Sequence, residues 1–341
     1  MEQLLRNLCA APAPPGLESA AAKAAAQVLS RYCEVTIDRM GNVIGTKPPS
    51  SEGGNAEGVG GAHILLDAHL DQIAMAVTGY EDGGFLRVAD AGGMDPRVLA
   101  AQEVTVHGKR DIFGVIPAVA PHLSKGETKA PDWPALCVDT GLDRAALEEQ
   151  VPLGTRVTLR ADGATLRGGR FASPALDNRA GVAAVLRCLE LLENEDTCRV
   201  TVLFSAQEET GGSGAKTAGF TCGADCAIVV DVSFAQAPDI PPAKAQGKLG
   251  GGAMVGISPL LDHAMSEALF RLAKARNIPC QAEVMGGRTH TNADNLQACA
   301  GGIPCALLSI PLRNMHTAAE VADMNDIEAT AQLMAAYIKT L

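Results

Sequence analysis

The chain has 341 residues, 47% of them hydrophobic and 3% aromatic, with one Trp and a formal net charge of −11. Such acidity argues against nucleic-acid and anionic-membrane partners and serves solubility, and the length suggests two domains or one domain with a large insertion, built on an aliphatic core. No apolar run reaches the roughly 20 residues needed to span a bilayer, and the start MEQLLRNLCAAPAPPG lacks the basic start and long apolar stretch of a secretion signal, so a cytoplasmic protein is expected.

In chain order, LESAAAKAAAQVLSRY predicts a helix after a Pro/Gly breaker. CEVTIDRM and NVIGTK predict a hairpin around GN, and SSEGGNAEGVGG predicts a loop. LLDAHLDQIAMAV, residues 65–77, then reads as a core strand. Side chains alternate along a strand, so His69 and Asp71 are expected on one face. A metal-bound imidazole with a carboxylate behind it would explain why two polar groups sit in an apolar run.

From residue 73 to 162 the texture changes to short apolar segments cut by turn signals, including YEDGGFLRVAD, EVTVHGKRDIFGVIPAV and GTRVTLRADG. This predicts an inserted small β-barrel or sandwich, with PHLSKGETKAPDWP as an exposed loop in it. After residue 163 the pattern alternates helix and strand. RVTVLFSA, CAIVVDVS and CALLSIP predict buried parallel strands, and PLLDHAMSEALFRLAKARN and MNDIEATAQLMAAYIKTL predict amphipathic helices. The expected fold is α/β: a three-layer α/β/α sandwich with a mixed sheet, formed by residues 1–72 and 163–341 and interrupted by a β-barrel-like domain over 73–162. The ten cysteines form no CxxC pairs and mostly sit in apolar runs, which predicts buried free thiols rather than disulfides or a zinc–thiolate site.

Ligand-type residues recur where apolar strands are expected to end, the place where α/β sheets bind ligands. His69 and Asp71 close the first such strand, Asp177 opens a helix in SPALDNRAG, Glu208 and Glu209 follow TVLFSAQ, Asp231 closes AIVVD, and His316 follows LLSIPLRNM. Singly, each has a plain structural reading: a core histidine, a helix N-cap, loop charges, a turn residue. Jointly, two histidines and several carboxylates from separate segments suit two divalent metals sharing a carboxylate, with a further carboxylate as base.

The order H-x-D, D-N-R-x-G, Q-E-E-x-G, strand-D and P-x-R-x-x-H resembles the co-catalytic metallopeptidases. More narrowly it is similar to the glutamyl aminopeptidase/cellulase M family, the tetrahedral aminopeptidases, through AHLDQIAMAV, ALDNRAGVAAVL, AQEETGGSGA, IVVDVS, TNADNLQ and IPLRNMHTAAEVADMND. The resemblance covers nearly the whole chain and implies a metalloaminopeptidase acting on short peptides. It implies that His69, Asp177, Glu209, Asp231 and His316 hold two divalent ions, Zn²⁺ first and Co²⁺ as a substitute. In that scheme Asp177 bridges, beside a cis peptide to Asn178, Asp71 orients His69, and Glu208 is the general base. Homodimers formed through the β insert and a hollow twelve-subunit assembly are also implied. His290, in GGRTHTNADN, is a candidate substrate contact.

The family often has an acid where this chain has Gln72, a glycine at Ala74 and an aromatic at Asn314, and its loop is bulkier at GGSGA. These departures lie near the expected position of a substrate side chain and keep a non-catalytic metal-binding relative as an alternative. A glycoside hydrolase of the endoglucanase type is a further alternative, but one Trp and three Tyr equip the chain poorly to stack sugars.

Overall fold

The run HILLDAH forms a strand buried along its whole length. The computed structural model in which it lies describes residues 1–49, 61–120, 122–123, 131–192, 198–238, 240–241 and 244–341. The chain begins with α1 (Glu2–Cys9) and α2 (Ser19–Leu29), the hairpin β1 (Glu34–Ile37) and β2 (Val43–Lys47), and β3 (His63–His69). Next come β4 (Ala74–Glu81), β5 (Phe85–Ala91), β6 (Glu103–His107), β7 (Asp111–Val115), β8 (Cys137–Asp139), α3 (Arg144–Gln150) and β9 (Arg156–Leu159). β10 (Ala164–Leu166), β11 (Arg170–Ser173), α4 (Leu176–Leu192), β12 (Arg199–Ser205), α5 (Ser213–Cys222) and β13 (Cys226–Phe234) follow. The chain closes with β14 (Ala253–Ile257), α6 (His263–Arg276), β15 (Cys280–Val284), α7 (Ala293–Leu296), β16 (Cys305–Arg313), β17 (Glu320–Asp323) and α8 (Met324–Ile338).

Strands β4 to β9 close into a six-stranded barrel around its own core, which includes Val77, Leu86, Val104, Val138 and Val157. The other 11 strands form one mixed sheet. Its centre, β12-β3-β13-β16, is parallel, while β2 joins β12 and β14 joins β16 antiparallel. Alternation assigns the two faces. Ile64, Leu66 and Ala68 of β3 pack into the larger cluster with α1, α2, α4, α6 and α8, whereas Leu65 joins a smaller cluster with α5 and α7. The sandwich is therefore lopsided. Helices α1, α2, α4, α6 and α8 cover one face, and the short α5 and α7 cover the other.

Aspartates cap the two helices α6 and α8. Asp262 accepts a hydrogen bond from Met265 N at the start of α6, and Asp323 accepts one from Asn325 N at the start of α8. The first helix, α1, is an addition that the sequence reading did not include; Leu5 and Leu8 bury its apolar side.

One expectation is corrected. Residues 65–77 are not one strand: β3 stops at His69, and the chain crosses from sheet to barrel before β4 begins at Ala74. Asp71 lies in that crossing, so strand alternation does not govern its direction. The predicted loop at SSEGGNAEGVGG, apart from Gly61, and the greater part of PHLSKGETKAPDWP lie outside the described residues. No disulfide forms among the ten cysteines, and none of them is exposed. Among the described residues, no helix is long and apolar enough to cross a membrane.

Candidate active site

The parallel strands deliver the site. His69 is the last residue of β3, paired in register with Ser205 at the end of β12. The turn after β12 carries Glu208 and Glu209, and Asp177 sits at the entry of α4 in non-helical conformation, joined to Asn178 by a cis peptide. His316 follows β16 with a left-handed φ of 62°. Asp231 was expected to close its strand, and the structure corrects this. β13 runs on to Phe234, because its pairing with β16 continues to Leu312, and Asp231 enters the site from within the sheet.

These segments, distant in sequence, converge. His69 Nε2 lies 3.0 Å from Asp177 Oδ1 and 3.8 Å from Asp231 Oδ1. His316 Nε2 lies 3.5 Å from Asp177 Oδ2 and 3.3 Å from Glu209 Oε2. Two ligand sets result, His69/Asp177/Asp231 and Asp177/Glu209/His316, with Asp177 common to both. Imidazole nitrogens and carboxylate oxygens are the donors that zinc and similar divalent ions prefer. The Glu209 Oε1 atom is buried without a hydrogen-bond partner. A buried, unpaired carboxylate oxygen is costly unless a cation meets it, so the donor set fits such ions.

A ring of supporting contacts fixes the donors. His69 Nδ1 is 3.0 Å from the backbone carbonyl of Asp71 and 3.5 Å from that residue's carboxylate. The nearer partner is thus the backbone rather than the expected carboxylate, and Nε2 is left facing the site. The Asp71 carboxylate accepts hydrogen bonds from Glu208 N at 2.9 Å and Glu209 N at 3.0 Å, which ties the two glutamates to the His69 segment. Glu320, which the sequence reading missed, accepts from Asp177 N at 3.0 Å and His316 N at 2.8 Å and so binds the two sets together. Gly93 from the barrel, also missed, places its carbonyl 3.1 Å from His316 Nδ1. A Cβ on Gly93 would come within 3.3 Å of that ring nitrogen, and its φ of 90° already disfavours any side chain.

The DNRAG run is explained residue by residue. Asp177 is a donor, and Asn178 donates to Val230 O and accepts from Gly181 N. Arg179 is fully buried and donates to the carbonyls of Leu70, Leu8 and Ala11, pinning the segment after His69 to the end of α1. A Cβ on Gly181 would stand 2.2 Å from Asn178 Oδ1, so only glycine fits there.

The crowding of carboxylates shows in their protonation. Burial, reinforced by the charges of Asp71 and Asp177, pushes Glu208 up to about 7. Burial and the charge of Asp177 push Glu209 to about 8. Asp231 is also driven well above the usual carboxylate range by burial, then by Asp177 and Glu208. Burial opposes the charge on Asp177 too, but His316 and His69 outweigh it and hold that carboxyl well below its ordinary value. Burial would lower His316, yet Asp177 and Glu209 hold it at about 11. Cations placed among these acids would relieve the same repulsion.

The donors open into a cavity of about 250 Å³. His290 is exposed at its lining, with a φ of 58° fixed by a hydrogen bond from its N–H to Asp294 Oδ2. Glu283 of β15 also lines the cavity and was not anticipated, since it lies in no recognisable motif.

The mixed sheet thus gathers paired ligand sets and a neighbouring glutamate towards the carboxyl ends of its parallel strands, where open α/β sheets bind their ligands. The M42 glutamyl aminopeptidase family matches residues 41–333, and the chain belongs to that family. It is a peptide-bond hydrolase. It is 32% identical over 318 residues to a lysyl aminopeptidase of Pyrococcus furiosus, covering 90% of this chain and 87% of the relative. Among solved structures, an aminopeptidase from the archaeon Desulfurococcus kamchatkensis superposes with a TM-score of 0.91 at 29% identity, covering 99% of this chain and 94% of that one. The TET1 peptidase of Pyrococcus horikoshii, which can assemble into a tetrahedron or a large octahedral shell, superposes with a TM-score of 0.83 at 27% identity, covering 98% of each chain.

Proposed function

We propose that the protein is a dinuclear metalloaminopeptidase that removes N-terminal residues from short peptides. The observation that carries this reading is Asp177, whose two oxygens face two different ligand sets while Glu208 stands beside both without belonging to either. His69 and Asp231 would hold one ion, Glu209 and His316 the other, with Zn²⁺ the first choice and Co²⁺ the second. Divalent cations bound there supply Lewis acidity, which makes water a nucleophile at neutral pH and polarises a carbonyl. Glu208 takes the proton from the attacking water and returns it to the leaving amine, as a glutamate tuned towards neutrality is suited to do. Asp71 holds the Glu208 backbone in place for that transfer, and His290 contacts the bound peptide.

The assembly of the similar TET1 peptidase supports a homo-oligomer. In this reading residues 73–162 are the inserted oligomerisation domain, and the assembled form is a twelve-subunit shell. Ten cysteines that form no disulfide are consistent with a cytoplasmic location.

The test is a pool of peptides with free and N-acetylated ends, given to protein stripped of metal and reloaded with Zn²⁺ or Co²⁺, with products read by mass spectrometry. Stepwise loss from free N-termini alone, abolished by chelator, is expected. Internal cleavage, or turnover indifferent to chelator, would refute the proposal.

A further inference from the structure

The cavity extends beyond the ligand sets along β13 and β16 to β15. There Glu283, 6% exposed, faces it between two serines. The Ser309 hydroxyl donates to Glu283 Oε2 at 2.6 Å, and the Ser233 hydroxyl donates to Oε1. Among the described residues no lysine or arginine is found acting on this carboxylate. Two neutral hydroxyls satisfy its oxygens but leave its charge uncompensated, and a buried charge normally has a partner of opposite sign.

The strand that carries Glu283 is held firmly. β14 pairs with one side of β15. On the other, the Gln246 side chain accepts from Val284 N and donates to Val284 O, standing in for a neighbouring strand. A carboxylate fixed by backbone pairing and two hydroxyls is a built feature of the cavity rather than a mobile charge at its rim.

Distance and lining describe what would fit. Ser233 lies two residues beyond Asp231 on the same face of β13, about 6.6 Å along the strand. A lysine side chain carries its ammonium about 6 Å from its Cα on a four-carbon apolar stem. The cavity lining also includes the apolar side chains of Leu307, Met315 and Phe234, suited to methylenes. We infer that Glu283 selects peptides whose N-terminal residue bears a cationic side chain, lysine or arginine, and rejects those beginning with glutamate or aspartate. The inference rests on the aminopeptidase reading and names the substrate class of that site. An incoming ammonium would relieve the burial cost that now raises the Glu283 carboxyl. A glutamyl side chain would meet like charge in a desolvated pocket, which is how such sites discriminate.

The test compares peptides identical except for an N-terminal lysine, arginine, norleucine or glutamate. Norleucine keeps the stem and removes the charge. The expected kcat/KM for lysyl exceeds that for norleucyl by on the order of tenfold to a hundredfold, with glutamyl lowest. Glu283→Gln should collapse the lysyl-to-norleucyl ratio by a similar factor, and Glu283→Asp should retain part of it. Calorimetry gives a second readout free of turnover: L-lysine should bind more tightly than L-norleucine, and Glu283→Gln should abolish the difference. Equal lysyl and norleucyl values, or a Glu283→Gln variant that lowers both substrates alike, would overturn the inference while leaving an aminopeptidase standing. If no peptide is cleaved, the aminopeptidase reading fails, and the lysine-to-norleucine binding ratio still decides the role of Glu283.

Discussion

The two ligand sets are built differently although they share Asp177. His69 and Asp231 are buried and come from the central strands β3 and β13, which pair along their lengths with β12 and β16 respectively. Glu209 and His316 are half-buried and come from the turn after β12 and the segment after β16. The first set is part of the sheet. The second is assembled by loops and held by Asp71, Glu320 and Gly93. The lesson is that one half of the site inherits the rigidity of the core, while the other depends on hydrogen bonds that a single substitution can remove.

That contrast sets the order of the expected effects. Asp177→Ala removes the shared donor, so both metals and roughly 10⁴-fold or more of kcat/KM should be lost together, as checked by metal content and peptide assay. Glu208→Gln should cost about 10²- to 10⁴-fold in kcat while two metals per chain remain bound, which separates the base from the ligands.

Chelation should separate the two sets. Metal release monitored by a chromogenic chelator is expected in two phases, the faster from the loop-borne set. His316→Ala should remove the fast phase and keep the slow one. A single phase in the unmodified protein would mean that the two halves are equally rigid.

The pH dependence of the metal-free protein follows from the raised glutamates. Glu208 at about 7 and Glu209 at about 8 both exceed the ordinary value of 4.5. Between these limits the folded chain binds protons that the unfolded chain has released, so this contribution to stability is present at acid pH and is lost as pH rises. His316 at about 11 acts in the same direction above its ordinary 6.5, and the lowered Asp177 acts only below its ordinary 3.8. The Tm of metal-free protein should therefore fall from pH 5 to pH 8, and the gain in Tm on adding Zn²⁺ should widen over the same range. The smallest effect is expected for Gly93→Ala, which crowds His316 alone: affinity for the second metal should weaken by about tenfold, with the first unaffected.

Much of the site was legible because its donors sit in contiguous motifs. His69 lies in HLD, Asp177 in DNRAG and Glu208-Glu209 in QEE, and each motif is a local necessity of a strand end or helix start. The residues that escaped act through the backbone or across the fold. Glu320 accepts from two backbone N–H groups, Gly93 offers only a carbonyl, and Glu283 meets its serines from separate strands. None of these contacts leaves a periodicity or spacing to read. The misplacement of Asp231 has the same origin. Where a buried strand ends is decided by its neighbours' length, here β16, rather than by its own composition.

The most direct test of the account is a titration of stripped protein with Zn²⁺, following bound metal and peptide hydrolysis in the same samples. No hydrolysis is expected without metal, and full activity is expected only at two ions per chain, with Asp177→Ala inert at every ratio. Hydrolysis in metal-free protein, or saturation at one ion with Asp177→Ala still active, would contradict it.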